Sequence, residues 1–298
     1  MPEEHDMSID FQEAPPRVSE FRRFMRVFLG RKVVIFGLII ILATIITAIF
    51  APFIAPYEPN TPDLDNTLLG PNREHLLGTD SLGRDTLSRI IFGARISLLV
   101  GITAVGFAAL SGMTLGLVAG YFGGIYNTVI MRFIDALMSL PMILLALTIA
   151  SLLGGGLNNI VIALGIGLMS VYARLMCGQV LTVKANDYIL AEISMGAGNM
   201  RMILSHILPN CFPPLIVLIT LMMGACILAE AGLSFLGIGV DPPTAAWGAM
   251  VSDGYKYLRT SPTLSFAPGL AIMLVVFAFN MVGDGLRDAL DPRLRGLL

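Results

Sequence analysis

Lysine is nearly missing from this chain. Its 298 residues hold three, Lys32, Lys184 and Lys256, preceded by Arg31, Val183 and Tyr255. A phosphate-cradling P-loop needs its lysine directly after a glycine, in the pattern Gly-x4-Gly-Lys-Ser/Thr, so that route to nucleotide hydrolysis is closed. Cysteine is equally scarce. Cys177, Cys211 and Cys226 lie in or beside apolar runs, where a thiol serves as a small core residue rather than a disulfide or a metal ligand. The three histidines, His5, His75 and His206, are scattered, so no metal-binding spacing arises. Charge is thin at 13% of residues, against about 25% in soluble domains. A net charge of −2 gives no basic surface for nucleic acid. Paired acids, His-Glu-x-x-His and a serine–histidine set are all absent, which argues against an intramembrane enzyme.

Apolar sequence fills the space. Hydrophobic residues make up 55% and the mean hydropathy is +0.79. Crossing a bilayer takes about 20 apolar residues. Charge-free runs occupy 33–50, 96–122, 136–173, 212–229 and 266–283. The third is nearly twice a span and carries Gly154-Gly155-Gly156-Leu157-Asn158-Asn159 at its middle, so it reads as two helices around a tight turn. The expected fold is all-α, with six transmembrane helices. Thirteen of the 19 Lys and Arg fall on the side of the N-terminus and six on the other. The positive-inside rule then places both termini in the cytoplasm. The expected organisation is a flexible cytoplasmic tail at 1–32 and a first helix at 33–54. A Pro- and Asp-rich extracytoplasmic loop follows at 55–95, then a five-helix core at 96–286 and a cytoplasmic tail at 287–298. Within the loop, Asp85 can cap a short interfacial helix, because Leu87, Ile90, Ile91 and Ala94 follow at helical spacing.

Polar groups near the membrane are costly and draw attention. Arg132 and Asp135 are spaced to pair on a helix. Glu230, Asn280 and Asp284 are candidates for lining a pathway or meeting another subunit, with structural pairing at helix ends as the plainer reading. Gly101, Gly106, Gly112, Gly116 and Gly120 suit close helix packing in lipid.

One polar segment, 180–209, interrupts the apolar runs on the N-terminal side. Asn186 or Asp187 can cap a helix there, and Ile189, Ile193 and Met195 give it an apolar face. Gly196-Ala197-Gly198 ends it, Asn199 caps a second short helix, and Leu208-Pro209 stops that one. A helix this short is marginal alone and needs a partner surface; the plainer alternative is an amphipathic connector lying on headgroups. The Gly-to-Leu-Pro spacing resembles the loop by which importer permeases of the ATP-binding cassette (ABC) class dock on their ATPases. Ala191 takes the first Ala of that family's Glu-Ala-Ala. Leu190 stands where the family has Glu, Glu192 where it has the second Ala, and His206 at the apolar position before Leu-Pro.

Three further stretches resemble the second permease subunit of dipeptide, oligopeptide and nickel importers. The first runs from Leu77 to Gly101 and includes Gly78, Thr79, Asp80, Gly83, Arg84, Asp85 and Arg89. Its charged members can form an ion-pair cluster on the outer surface, worth about 0–1 kcal/mol per exposed pair. The others are Glu230-Ala-Gly-Leu-Ser-Phe-Leu-Gly237 and Phe279–Arg293. The resemblance implies a type I permease core wrapped by the first helix, in a bacterial or archaeal cytoplasmic membrane. It implies a second permease subunit as heterodimer partner, two cytoplasmic ATPases holding ATP and Mg, and an extracytoplasmic binding protein. This chain itself carries no cofactor. Residues Leu190, Ala191, Glu192, Gly196, Ala197, Arg201, His206, Leu208 and Pro209 would form the ATPase-coupling element. Di- or oligopeptide is the expected cargo. A nickel or other small-solute importer is the alternative within the class. An ion-coupled secondary transporter is the alternative outside it, but the inverted-repeat halves it needs are not seen.

Overall fold

A computed structural model describes residues 20–290. The expected tail ends, residues 1–19 and 291–298 with Arg17, Arg293 and Arg295, lie outside the described residues. Apart from a lone β-bridge between Thr79 and Asp85, the elements are helical. In chain order they are α1 (Glu20–Gly30), α2 (Lys32–Ile49), α3 (Ala51–Ile54), α4 (Thr86–Phe122), α5 (Gly124–Met138), α6 (Met142–Leu153), α7 (Leu157–Lys184), α8 (Asp187–Ser194), α9 (Asn199–Arg201), α10 (Leu208–Phe235), α11 (Trp247–Tyr255) and α12 (Thr263–Leu290). A π-helical turn, Met202–Ile207, joins α9 to α10.

Five of the helical runs are long and apolar enough to cross a membrane, and a sixth span forms if α5 and α6 are counted as one bent pair. The bend is 90° and falls at Ser139–Pro141. Proline has no amide hydrogen and pushes the preceding residue out of helical conformation, so the third helix starts at Met142 rather than at 136. The triglycine turn forms as expected. Gly154, Gly155 and Gly156 all have positive φ, at 91°, 72° and 84°, and reverse the chain between α6 and α7.

Two boundaries move. The interfacial helix expected before residue 95 is instead the opening of α4, a continuous 37-residue helix. Asp85 is its cap, accepting the Ser88 amide at 2.7 Å, but nothing breaks the helix at residue 95. The N-terminal tail is likewise ordered from residue 20. Phe24 and Phe28 stack at 5.6 Å, and Phe28 packs with Val34 of α2 and Val282 of α12.

Helix α4 is the axis of the bundle and lies closest to α7. Built onto Gly112 or Gly116, a Cβ would collide with the carbonyls of Met169 or Ala173; at Gly120 it would lie 2.8 Å from Val180 Cβ. Three glycines four residues apart thus bring two backbones together, which in lipid supplies the packing that a hydrophobic effect cannot. Gly101 faces Met223 and Ile227 of α10, whereas Gly106 faces open space. The three cysteines are buried and free, as expected of core residues.

The bundle has two ends. One gathers the end of α4, the start of α5 and the segment α8–α9. There Lys184 Nζ donates to Tyr121 O at 2.7 Å and Tyr121 Oη donates to Asn199 Oδ1 at 2.9 Å. The other gathers the long loop before α4, the α6–α7 turn and α11, with Gly156 N donating to Gly239 O at 3.2 Å.

Candidate functional site

The segment around Gly196 is built as a small braced platform. Asn186 stands at the N-cap of α8, but its side chain turns back and donates to Val183 O at 3.0 Å. The helix ends in a complete Schellman closure. Gly196, at φ 82°, donates to Ile193 O at 3.0 Å and Ala197 donates to Glu192 O at 3.1 Å. That pair of bonds satisfies carbonyls a helix end would otherwise leave bare, and it needs the left-handed backbone that glycine adopts without strain.

The expected apolar face divides in two. Ile189 is fully enclosed, packed with Met202, Ile207 and Val183. Tyr188, Leu190, Ile193 and Met195 are 45–74% exposed. Ile189 therefore anchors the helix and the other four project outward. Ala191, Gly196 and Arg201 are exposed too, while Ala197 and Leu208 pack against the anchoring cluster. Glu192 and His206, both partly buried, approach to 3.9 Å across the turn.

The second short helix is not a separate element. Asn199 is its first residue rather than its cap, and accepts from Tyr121 instead. Nor does Pro209 stop it, since the chain runs on through the π turn into α10. Within a continuing helix a proline leaves a carbonyl one turn back without its donor. A π turn beside it absorbs the register change.

The motif residues of the long loop do meet, as a knot rather than an exposed cluster. Asp80 Oδ2 accepts from Arg84 Nε at 2.7 Å, and Arg89 Nε stands 3.7 Å away. Arg84, Asp85 and Arg89 are all at least nine-tenths buried. Asp85 pairs with neither arginine. Its Oδ2 takes both donors of Ser88 at 2.7 Å, and its Oδ1 lies 2.9 Å from His75 Nδ1. Arg89 Nη1 donates to Pro59 O at 2.9 Å and to Pro243 O at 3.3 Å, tying two loops together. Thr79 Oγ1 donates to Asn66 O at 2.5 Å. Gly78 and Gly83 turn at φ 77° and 75°, and a Cβ on Gly83 would strike Asp63 O. These groups fix the loop's shape, and burial makes their bonds matter more than surface pairs would. His75 was not legible from spacing, since nine residues of irregular chain separate it from Asp85.

The three membrane polar groups do not converge. Glu230 is fully buried inside α10, its Oε1 accepting from Ser234 Oγ at 2.7 Å and Ser97 lying nearby; among the described residues no hydrogen bond to its Oε2 meets ordinary geometry. Asn280 and Asp284 are exposed on one stripe of α12, continuing Met273 and Phe277. Asp135 pairs with Arg174 of α7, not with Arg132, because packing of α5 on α7 outweighs local spacing.

Helix order, the bent pair and the platform between spans define an importer-type membrane permease core. The family model described as binding-protein-dependent transport system inner membrane component matches residues 112–296. The one described as N-terminal TM domain of oligopeptide transport permease C matches residues 19–71. The chain belongs to this family of multi-pass inner-membrane transport components. It is 43% identical over 278 residues to the dipeptide transport system permease protein DppC of Alkalihalophilus pseudofirmus, across 93% of this chain and 91% of that one. It is 43% identical to the di/tripeptide transport system permease protein DppC of Pseudomonas aeruginosa, across 93% of both chains. It is 42% identical to the glutathione transport system permease protein GsiD of Pectobacterium atrosepticum, across 92% of both. In fold it is similar to a chain of the inward-facing MetNI methionine ABC transporter, with a TM-score of 0.56 at 19% identity, over 68% of this chain and 97% of that chain.

Proposed function

We propose that this chain is one half of the translocation pathway of an ATP-driven importer for di- or oligopeptides. A second, related permease completes the pathway. Two cytoplasmic ATPases bind ATP and Mg and supply the driving force, because this chain has no phosphate-binding lysine. A binding protein delivers the peptide to the face formed by the long loop and α11. Both termini and the α8 platform lie in the cytoplasm.

The observation that carries the reading is the exposed apolar top of α8. Tyr188, Leu190, Ile193 and Met195 project from a helix whose underside is locked by Ile189. In lipid headgroups such a helix would lie flat; the closure and the anchor that hold its apolar side chains outward support a protein partner instead. A push on α8 passes through Ile189 to Met202 and Ile207 at the head of α10, and α10 carries it across the membrane. Two packed arrangements of the paired permeases would then alternate. The peptide substrate rests on the sequence relationship to permeases bearing peptide and glutathione names.

The test is transport by the reconstituted assembly. Vesicles holding both permeases and both ATPases, with the binding protein outside, should accumulate labelled dipeptide or oligopeptide only with ATP on the ATPase side. Uptake of a peptide without ATP, driven by an ion gradient alone, would refute the proposal in favour of a secondary transporter.

A further inference from the structure

We propose that the junction of α1 and α2 is a binding site for the headgroup of an anionic phospholipid. The reading starts from charge. Residues 20–32 contain Arg22, Arg23, Arg26, Arg31 and Lys32 against one carboxylate, Glu20. In a chain with so little charge, this is a dense basic segment. Folding then sorts it. Phe24 and Phe28 turn inward onto α2 and α12, so the apolar side of α1 is already covered by protein. Arg22 and Arg26, four residues apart, are exposed on the opposite face.

Asp288 of α12 pairs with Arg31, and Asp284, one turn earlier, is the other carboxylate in the last turns of α12. Arg26 and Lys32 remain exposed.

Geometry selects a lipid over a free anion. Helix α2 begins at Lys32, and only 17% of its most apolar window is buried by protein. Most of its length is left uncovered by the rest of the chain and, in a membrane, is open to acyl chains. Directly beside the cations stand Leu29, Val33 and Phe36, which are 40–56% exposed. Cations at the mouth of a lipid-facing span, flanked by exposed apolar side chains, match a phosphate with acyl chains hanging from it. Each such cation near an anionic membrane surface strengthens association several-fold. The site does not depend on which substrate crosses or on which way the chain is oriented.

The test uses the purified full-length chain in a neutral detergent, titrated with phosphatidylglycerol or phosphatidylcholine and read by native mass spectrometry. The wild type should retain phosphatidylglycerol in preference to phosphatidylcholine. The double variant Arg26→Gln, Lys32→Gln should bind phosphatidylglycerol about 30-fold more weakly, with phosphatidylcholine unaffected. Equal retention of the two lipids by the wild type, or undiminished phosphatidylglycerol binding by the variant, would overturn the proposal. So would displacement of the lipid by glycerol phosphate at equal concentration, since the headgroup alone would then suffice. Should the double variant not fold, each single substitution should show about a fivefold loss, and no loss in either would count against the site in the same way.

Discussion

His75 Nδ1 lies 2.9 Å from Asp85 Oδ1, and Asp85 is also the cap of α4. One carboxylate therefore ends the long loop, starts the longest helix and holds an imidazole whose ring lies tilted, 4.8 Å from that of Tyr57. Replacing Asp85 by Ala removes the cap and strands two buried partners. The expected loss is about 2–4 kcal/mol, from a cap worth about 1 and unmet buried groups worth about 1–3. Asp85→Asn keeps the cap acceptor and should lose less than half of that. Thermal unfolding of the detergent-solubilised protein checks the order; equal midpoints for the two variants would contradict it.

The glycines of α4 offer a paired comparison. Gly116→Ala puts a methyl group into the Ala173 carbonyl and should destabilise by about 1–3 kcal/mol through overpacking. Gly106→Ala meets nothing within 4 Å and should be neutral or stabilise by up to about 1 kcal/mol, the helix-propensity difference. Thermal unfolding of both variants decides it; equal effects at the two sites would mean that α4 and α7 do not approach as described.

How much of this was legible follows a physical rule. Apolar runs and glycine turns are local, so the spans near 33–50 and 266–283 and the reversal at Gly154–Gly156 could be read directly. Boundaries set by single residues were harder. Pro141 splits α5 from α6, yet the charge-free run passes through it unmarked. Pro209 looks like a stop and is not, because the π turn before it accommodates the ring. In the candidate site, Gly196 and Ile189 were visible from spacing. The exposed role of Leu190 and the burial of Arg84, Asp85 and Arg89 were not, since both depend on which distant segment covers them. The pairing of Asp135 with Arg174 rather than Arg132 has the same cause.

Glu230 is enclosed with one oxygen bonded and one facing Ser97. Glu230→Gln preserves shape and the bond to Ser234 and should leave folding close to wild type. Glu230→Ala leaves a void and frees Ser234, and should cost about 2–4 kcal/mol. Expression and thermal stability in detergent provide the readout. A Gln variant as damaged as the Ala variant would show that the acid itself is required.

Orientation is tested by accessibility. In a version with Cys177, Cys211 and Cys226 replaced, Thr61→Cys should react with an impermeant thiol reagent added outside intact cells, and Asn199→Cys should not. Both side chains are exposed in the fold, so reactivity reports the side of the membrane. The reverse pattern would move the α8 platform outside and remove any contact with cytoplasmic ATPases.

The central claim is that α8 transmits the ATPase stroke, and Gly196 is its most direct test. A Cβ there meets no neighbour, but φ is 82°, so Gly196→Val strains only the Schellman closure. The penalty, about 1–2 kcal/mol for a left-handed side-chain-bearing residue, is enough to redirect a marginal helix and small beside the insertion of the spans. Peptide uptake should be measured together with copurification of the ATPases, in membranes holding normal amounts of the variant. The account predicts loss of uptake, with weakened ATPase association or with hydrolysis no longer linked to transport. Wild-type uptake together with full ATPase association in Gly196→Val would contradict it.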